Sequence, residues 1–420
     1  MSQFIRTRFF YGYIIVLAAF IIWAVAFGVI GTFSVFFKPL SAEFGWTRAM
    51  TSGAISLSVG LSGFLGILMG RLTDRFGPRL LIMVCGSFLV LSYLLMSRIT
   101  NLWQFYLVFG VLMSIGFSPV TVPLLATIAR WFVKRRGLMT GIVLSGLSLG
   151  QMIMAPVAGY LILSYGWRTS YIILALVTLL LVFLPGLLLK RDPSQIGQLP
   201  YGVDEQGEQR NKNQNSNLQS EGVSVREALQ TKQFWMLCII FFCFGFYRGV
   251  FTTHIVPLVT DLGFSLTIGA SVLAATGIPG IAGRIITGIT ADRIGNKRPL
   301  IIGFVLAAFS ALWLLTAKEM WALYLFAVVF GLSFGSLATI RAPMVAEVFG
   351  LGSLGVLLGT TELAVAVGHA IGSLSAGWIF DISSSYHSAL LISAALAIIA
   401  VILATLLRSK RQTGNSKANL

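Results

Sequence analysis

The sequence predicts an all-α, polytopic membrane protein whose twelve transmembrane helices form two pseudo-symmetric six-helix bundles. Three observations support this prediction: a very apolar composition, apolar runs long enough to cross a bilayer, and an internal repeat. Of the 420 residues, 56% are hydrophobic and only 10% are charged, and the mean hydropathy is +0.87. An average soluble domain carries about 25% charged residues. The composition therefore excludes an ordinary soluble enzyme.

Apolar runs recur along almost the whole chain and are broken by Gly, Pro and charged residues. A helix needs roughly 20 apolar residues to cross the hydrocarbon core of a bilayer. The first run is too long for a cleavable signal core, so we retain it as helix 1. The twelve predicted spans are approximately 11–37, 49–69, 79–97, 102–129, 137–163, 168–189, 233–258, 267–288, 298–316, 320–345, 353–379 and 385–407.

A polar segment separates the sixth and seventh spans. Residues 190–232 are rich in Asn, Gln, Glu, Gly and Ser, a composition that buries too little apolar surface to order itself. We therefore predict a mobile linker, within which the stretch 223–230 is compatible with a short surface helix. The predicted organisation is an N-terminal six-helix half at 1–189, the linker at 190–232, a C-terminal six-helix half at 233–407 and a tail at 408–420.

The chain carries 30 basic and 14 acidic residues, a formal net charge of +16. The basic residues form short clusters between apolar helices rather than one basic face, so they indicate control of membrane topology and not nucleic-acid binding. The positive-inside rule then predicts that both termini and the linker lie in the cytoplasm. We expect the protein to reside in the cell inner (plasma) membrane. The basic residues outside this pattern are Lys38, Arg48, Arg98, Arg168 and Lys318 in outer segments, and Arg248, Arg284 and Arg341 within spans.

The cysteines and histidines give no sign of a metal site or an enzyme. Cys85, Cys238 and Cys243 lie inside apolar runs and lack metal-binding spacing. The 3 histidines also lack such spacing, and neither a Ser/His/Asp arrangement nor an ATP-binding motif is evident in the sequence. We therefore expect no metal, no cofactor, no enzymatic activity and no primary pumping.

Sliding the sequence over itself reveals an internal repeat. The loop GRLTDRFGPR at 70–79 falls on GITADRIGNK at 288–297, and the register continues without a gap, so that Trp103 falls on Trp321. Chance matches between apolar sequences do not carry two charged loops in one unbroken register. The halves are therefore predicted to be parallel structural repeats, an arrangement in which a substrate binds between halves near the bilayer midplane.

The repeated pattern Gly-x-x-x-Asp-Arg-x-Gly-x-Arg/Lys resembles the signature loop of the major facilitator superfamily. The resemblance implies the fold of that superfamily, secondary transport by alternating access, and a gating role for the two loops. The alternative is that these charges only fix the topology. The gating candidates are Gly70, Asp74, Arg75, Gly77, Gly288, Asp292, Arg293 and Gly295.

Glycines recur at near-helical spacing in the fifth and eleventh spans. Small residues let helix backbones approach closely, so any single glycine in these stripes is compatible with tight packing or with a sliding interface. The pairing of the two spans under the repeat favours the sliding interface.

Charged residues inside spans are functional candidates, because an arginine at a helix centre costs about 2.5–3.5 kcal/mol on insertion scales. Arg284 offers a planar two-donor fork suited to a carboxylate, although it lies close enough to the cytoplasmic end to snorkel. Arg248 lies deeper, in the seventh span. Its role is either contact with a substrate or counter-ion, or an ion pair within the protein with Glu362 or Asp261.

Proton coupling needs a titratable group that burial and substrate charge can influence. His254 and Asp261 share one face of the seventh span, and Glu362 is the rival proton site. The alternatives are a hydrogen-bonded histidine and structural salt bridges. His369 has Gln151 as its repeat counterpart, and both are predicted to be hydrogen-bonding residues of the substrate cavity.

Four stretches narrow the resemblance: YGYIIVLAAF (11–20), SVFFKPLSAEFGWTRA (34–49), RLTDRFGPR (71–79) and ARWFVKRRGLMTGI (129–142). They are similar to the bacterial monocarboxylate-porter and oxalate/formate-antiporter branch of the superfamily. That resemblance implies that Lys38 attracts or transiently pairs the anion and that Arg284 binds its carboxylate.

Two positions depart from this pattern. Animal-type porters place an Asp one helical turn before the arginine of helix 8, where this chain has Gly280, so proton coupling must reside elsewhere. Oxalate exchangers use a helix 11 lysine as a second cation, where this chain reads Thr361-Glu362. A substrate with one carboxylate is therefore expected, unless Arg248 replaces that lysine.

The expected function is transport of a small organic monocarboxylate, such as lactate or pyruvate, together with a proton, by a chain that acts as a monomer in the lipid bilayer. The alternatives are an oxalate/formate-type carboxylate exchanger, efflux of amphipathic compounds, and a membrane sensor that binds without transporting. A sensor would ordinarily carry a folded signalling domain, and both the linker and the tail are too polar and too short to supply one.

Overall fold

The computed structural model describes residues 10–118, 120–202, 225–350 and 354–407. Helices fill these ranges, apart from connecting turns and an isolated backbone bridge between Phe132 and Tyr201. The predicted all-α class is therefore confirmed. Ten helices of the described ranges are long and apolar enough to cross a membrane.

Two further features bring the described spans to twelve. The stretch Gly137–Leu188 is 52 residues long and bends at Gly166, so it contains two spans of the roughly 20 residues that a bilayer needs. The apolar helix Leu102–Phe117 includes a π-helical segment and, together with Val122–Trp131, supplies the remaining span.

We number the spans in chain order. They are α1 (Gly12–Phe44), α2 (48–76), α3 (78–96), α4 (Leu102–Phe117 with Val122–Trp131), α5 (136–165), α6 (167–188), α7 (Lys232–Asp261), α8 (Leu266–Ile294), α9 (Lys297–Leu314), α10 (Met320–Phe349), α11 (Leu354–Ser383) and α12 (His387–Leu406). Short helices at Pro193–Ile196 and Val225–Leu229 lie between α6 and α7.

The sequence repeat is visible in the backbone. Gly77, between α2 and α3, has φ 80° and ψ 162°, and Gly295, between α8 and α9, has φ 83° and ψ 166°. This positive-φ conformation favours glycine, because it has no Cβ. The two signature loops therefore make the same turn at the same motif glycine. Gly166 and Ser384, at the α5–α6 and α11–α12 junctions, form a second repeat-related pair with positive φ.

The chain divides into two compact units. The first contains Met1–Trp46 and Leu57–Arg210, and the second contains Thr47–Ser56 and Asn211–Leu420. The first turns of α2 thus group with the second unit, whereas the rest of α2 belongs to the first. Residues 203–224 of the predicted linker and the predicted tail at 408–420 lie outside the described residues, so those boundaries stay predictions.

Close helix contacts in the first unit are made through glycine. A Cβ at Gly146 would lie 2.9 Å from the carbonyl oxygen of Phe20, and a Cβ at Gly150 would overlap the carbonyl of Ala24. These two glycines therefore let α5 lie directly against α1. By contrast, Gly141 has open space where a Cβ would stand. Within the unit, Gly146 and Gly150 serve tight packing.

The second unit repeats this arrangement in α7 and α11. A Cβ at Gly245 would overlap the backbone carbonyl of Val365, and a Cβ at Gly249 would overlap that of His369. Helix α7 therefore lies directly on α11. This contact sets the residue after Arg248 against the backbone of His369.

A further glycine contact joins α8 to α10. A Cβ at Gly335 would overlap the carbonyl oxygen of Gly280 and lie 3.1 Å from the backbone nitrogen of Arg284. The absence of a side chain at Gly335 therefore lets α10 approach the backbone of α8 at Arg284.

The beginning of the predicted linker packs against the end of α4. Trp131 donates its indole N–H to the carbonyl of Lys190 over 2.9 Å, and the backbone N–H of Tyr201 donates to the carbonyl of Trp131 over 2.9 Å. The surface helix that the sequence suggested at 223–230 is present over Val225–Leu229.

Large apolar side chains are exposed along the membrane-length helices. Examples are Leu17, Phe64, Leu163, Ile278 and Ile402. A soluble monomer rarely exposes extended apolar surface, because such surface favours association. On helices of this length, the exposed side chains are those suited to contact lipid, as expected of a multi-pass membrane protein.

The glycine contacts generate a stability prediction with a matched control. We expect Gly150→Ala to lower the free energy of unfolding by about 1–3 kcal/mol, because the new methyl group meets the backbone of Ala24. The same change at Gly141, where space is open, should leave stability within about 1 kcal/mol of wild type. Thermal unfolding in detergent micelles, followed by tryptophan fluorescence, measures both variants. Equal melting temperatures for the two would contradict the packing described for α1 and α5.

Candidate functional site

Three arginines of the second unit lie inside spans and away from the ends of their helices. They are Arg248 on α7, Arg284 on α8 and Arg341 on α10, and each is half-buried. The ring of Phe334, on α10, is shared by two of them. The guanidinium carbon of Arg248 lies 5.6 Å from the ring centroid, and that of Arg284 lies 6.0 Å from it. The phenylalanine thereby brings the α7 and α8 cations to one apolar surface.

The third arginine is compensated by a carboxylate. Arg341 makes an ion pair with Glu362 of α11, and their side chains are 25% and 42% exposed. This pair joins α10 to α11. The structure therefore gives Glu362 the salt bridge that the sequence left as an alternative to proton binding, and a proton role for Glu362 stays a prediction.

Arg248 has neither an ion pair nor a side-chain hydrogen bond with any described residue, and its Nε is buried without a partner. The sequence left open an ion pair of Arg248 with Glu362 or Asp261. In the structure Glu362 pairs with Arg341, and Asp261 pairs with Arg48. The charge of Arg248 thus has no carboxylate partner in the part of the chain that the structure describes.

His369 lies on α11, close to this charge. Its side chain is 4% exposed, and neither ring nitrogen has a hydrogen-bond partner within the described ranges. The charge of Arg248 acts electrostatically on it. The repeat counterpart, Gln151 on α5, is half-buried, and its side chain fills the space beside Gly31 of α1, 2.8 Å from where a Cβ would stand.

A second polar cluster lies at the end of α7. Asp261 pairs with Arg48 of α2 over 2.7 Å, and Arg48 also donates to the hydroxyl of Tyr386. The carboxylate of Asp381 accepts the backbone N–H groups of Arg48 and Ala49 over 2.8 and 2.7 Å, which caps the start of α2. Every charged group of this cluster therefore has a partner.

His254 is part of the same cluster. Its Nε2 lies 2.8 Å from the carbonyl oxygen of Ser373, and its Nδ1 lies 3.1 Å from the hydroxyl of Tyr386. Because a carbonyl only accepts, Nε2 carries the hydrogen and the neutral ring accepts at Nδ1. Tyr386 lies in the connection between α11 and α12, and burial raises the pKa of its phenol, which keeps it a donor. A proton role for His254 and Asp261 stays a prediction.

Lys38 lies in the first unit, on α1, and is half-buried. Glu43, one turn further along α1, accepts hydrogen bonds from Trp167 and Arg168 of α6. Glu43 is the repeat counterpart of Asp261. Each unit therefore has an acidic residue in a polar cluster shortly after the Pro-Leu pair that the repeat aligns, at 39–40 and 257–258. The predicted role of Lys38 in attracting an anion stays a prediction.

The signature loops differ in how much of them is described. Gly70 and Asp74 lie outside the residues whose side chains the structure describes. Asp292 and Arg293 are exposed, and Asp292 has no ion pair with a described residue, whereas the Arg75 guanidinium lies 5.2 Å from the Phe76 ring. Lys297 donates to the carbonyls of Thr405 and Leu407 over 2.7 and 2.9 Å, at the end of α12.

Sequence reasoning missed the residues that connect the charges. Phe334 carried no signal, because the chain contains 31 phenylalanines and nothing in the sequence distinguishes this one. Arg341 was visible as an intramembrane charge, but its pairing with Glu362 depends on how α10 and α11 pack. Tyr386 carried no signal either, because it stands at the start of the predicted span 385–407 and nothing in the sequence links it to Arg48 or His254.

No group of three or more His, Cys, Asp or Glu side chains in the described ranges is placed to hold a metal ion. The three cysteines are unpaired thiols, each at least half-buried in a span. Instead, the second unit brings together the guanidinium groups of Arg248 and Arg284, the imidazole of His369 and the ring of Phe334. Cations and hydrogen-bonding groups of this kind are suited to holding an anion.

The ion pair between Arg341 and Glu362 makes a testable contribution to stability. We expect Glu362→Gln to lower the free energy of unfolding by about 1–3 kcal/mol, because it leaves the guanidinium uncompensated in an apolar surrounding. The double variant Arg341→Gln/Glu362→Gln should lose less than the two single variants together. Glu319→Gln, at an exposed carboxylate before α10, is the control. Strict additivity in thermal unfolding experiments would contradict a direct pair.

Comparison with known proteins agrees with this architecture. The sequence profile of the Major Facilitator Superfamily matches residues 13–289 and 237–419. Monocarboxylate transporter 13 of Rattus norvegicus is 26% identical over 391 residues, which cover 92% of this chain and 86% of the relative. The uncharacterized MFS-type transporter YhjX of Escherichia coli (strain K12) is 26% identical over 377 residues, 87% of each chain.

A solved structure shares the fold. A bacterial homolog of the human lysosomal transporter Spinster, in an inward-facing and occupied conformation, superposes with a TM-score of 0.73 at 15% identity, covering 95% of this chain and 96% of that one. The profile match over most of the chain confirms the resemblance that the repeated loops indicated. With its twelve spans, its repeated signature loop and a profile match over most of its length, the chain belongs to the Major Facilitator Superfamily of membrane transporters.

Proposed function

We propose that this chain moves a small organic monocarboxylate of the lactate or pyruvate type across the inner membrane, together with a proton, by alternating access. The single observation that carries the proposal is the pair of cations, Arg248 and Arg284, at the ring of Phe334. A guanidinium presents a planar fork that matches a carboxylate. A bound carboxylate compensates positive charge that is otherwise costly inside a membrane.

The residues have separate roles in this proposal. Arg284 is the primary anchor of the carboxylate, as the resemblance to monocarboxylate porters implies. Arg248, which lacks a carboxylate partner among the described residues, is the second cation. Gln151 and His369 are hydrogen-bonding contacts, and Lys38 attracts the anion from the outer side. Phe334, whose ring lies near both guanidinium groups, is the proposed apolar contact for the short carbon chain of the substrate.

Alternating access assigns the gating role to the two signature loops. The same positive-φ turn at Gly77 and Gly295 supports an equivalent role for both loops. The excess of basic residues in alternate loops supports cytoplasmic termini. His254, Asp261 and Glu362 are the sequence-based candidates for the proton, and we propose that the chain acts as a monomer.

The names of relatives are compatible with a carboxylate substrate. Monocarboxylate transporter 13 and the human monocarboxylate transporter 11 align with 92% of this chain at 26% and 25% identity, respectively. At this identity, the comparison supports the substrate class and leaves the particular acid to experiment.

A carboxylate exchanger of the oxalate/formate type is the second candidate. The observation that favours it is again the proximity of Arg248 and Arg284 to one ring, because two cations match two carboxylates. The two candidates differ in driving force: a proton gradient drives the first, and a counter-substrate on the opposite side drives the second.

Uptake into proteoliposomes tests the proposal. Labelled lactate, pyruvate, formate and oxalate are offered under an inward proton gradient to wild type, Arg284→Lys and Arg248→Gln. We expect gradient-dependent monocarboxylate uptake in wild type and a loss of about tenfold or more in Arg284→Lys, because the bidentate fork is removed. Arg98→Lys, at an exposed arginine between α3 and α4, is the matched control and should transport as wild type does.

The remaining outcomes distinguish the candidates. Uptake only into vesicles loaded with counter-substrate would favour the exchanger. Absence of flux for all four acids in wild type would refute the carboxylate assignment and leave the superfamily membership unchanged.

A further inference from the structure

The titratable groups that the sequence proposes for the proton already have partners in the structure. His254 uses both ring nitrogens, and Asp261 and Glu362 each pair with an arginine. Each of the three would have to give up a partner, or share one, in order to change its protonation state. This is a structural cost that a proton carrier in every transport cycle would have to meet.

His369 differs from those groups. It is 4% exposed, and both ring nitrogens are without a hydrogen-bond partner in the part of the chain that the structure describes. Buried polar atoms in proteins are nearly always hydrogen-bonded, so two unpartnered nitrogens in one ring call for a reason. A ligand that hydrogen-bonds to this ring, in place of the chain itself, supplies that reason.

The charges around His369 come from the helices packed on α11. On α7, Arg248 acts electrostatically on the ring and has no carboxylate partner among the described residues. On α10, Arg341 is compensated by Glu362 of α11 itself. On α12, the described titratable side chain is His387, which is exposed at the start of the helix. The uncompensated charge facing His369 is therefore that of Arg248.

We propose that His369 is the residue that binds the transported proton, and that an anion held at Arg248 promotes its protonation. This inference rests on the carboxylate transport proposed above. Without an anion, a proton on His369 adds a second positive charge beside Arg248 in an apolar interior, which is unfavourable. A bound carboxylate compensates Arg248 and offers the imidazolium a charged acceptor. By linkage, the proton strengthens anion binding by the same factor.

The charge balance of the cycle follows directly. A monocarboxylate brings one negative charge and the proton on His369 brings one positive charge, so the loaded and empty forms carry the same net charge. The proton is taken up with the anion on one side and released with it on the other. Coupling is therefore one proton for each carboxylate, and no net charge crosses the membrane in one complete cycle.

The internal repeat supplies a conservative variant. Gln151 occupies the counterpart position on α5, where its side chain lies beside Gly31, and the backbone of His369 lies beside the counterpart glycine, Gly249. A glutamine is thus already accommodated at this place in one of the two helix pairs. His369→Gln keeps a polar side chain and removes the titratable nitrogen. His387→Gln, at an exposed histidine, is the matched control.

Two transport assays in proteoliposomes separate proton coupling from anion movement. Gradient-driven accumulation requires a net movement of protons across the membrane. Counterflow of labelled acid between equal pools on the two sides requires no net proton movement. We expect His369→Gln to lose accumulation under a tenfold proton gradient while keeping counterflow within about threefold of wild type. His387→Gln should keep both. Size-exclusion chromatography establishes that the variants are folded, and His369→Asn repeats the test with a second side chain.

Anion binding to purified protein in detergent gives an independent readout. In wild type the dissociation constant for pyruvate should rise with pH, by at most about tenfold per pH unit for one linked proton. In His369→Gln it should change by less than about twofold between pH 6 and 8, because the linked group is gone.

Three results would overturn the inference. The first is gradient-driven accumulation in His369→Gln, and the second is a dissociation constant in that variant that depends on pH as steeply as in wild type. The third is loss of both counterflow and accumulation in both His369 variants, which would assign the ring to anion binding alone. If wild type neither binds nor transports any of the acids, it is the proposed function that fails, and this outcome is separate from the other three.

Discussion

The second unit depends on how an apolar helix bundle holds positive charge. An arginine at the centre of a span costs about 2.5–3.5 kcal/mol on insertion scales. This unit carries Arg248, Arg284 and Arg341 away from the ends of their helices. Glu362 compensates Arg341 through a direct ion pair, whereas Arg248 has only the face of Phe334 and a buried Nε without a partner among the described residues. An anion that binds there removes part of an unfavourable interaction, so ligand binding and the stability of the bundle are linked.

The same unit contains polar groups of two opposite kinds. Around Tyr386, the cluster at the end of α7 satisfies every charge and both nitrogens of His254, and such complete networks hold one geometry. Around Arg248 and His369, hydrogen-bonding capacity is left unused. Glycine brings these two residues close in space, because α7 and α11 touch where Gly249, the residue after Arg248, meets the backbone of His369. A complete network suits a structural role, and an incomplete one suits a ligand.

Much of the architecture could be predicted without coordinates. Hydropathy located the spans, because the requirement for about 20 apolar residues acts on each segment separately. The repeat aligned Gly77 with Gly295, and the backbone has the same positive-φ turn at both. Spacing also placed glycines along α5, but it did not distinguish Gly150, which touches α1, from Gly141, where a Cβ would meet no described atom within 4 Å. That distinction depends on which side of α5 meets its neighbour.

Local properties of the chain were thus sufficient for the helix number, the internal symmetry, the superfamily and the set of intramembrane charges, because each is carried by consecutive residues. The partners of those charges required three-dimensional packing. Whether Glu362 compensates Arg248 or Arg341 depends on the rotation of each helix about its axis and on the distance between axes, and spacing within a helix encodes neither. The same holds for His369, whose unpartnered ring became evident only once the residues surrounding it were known.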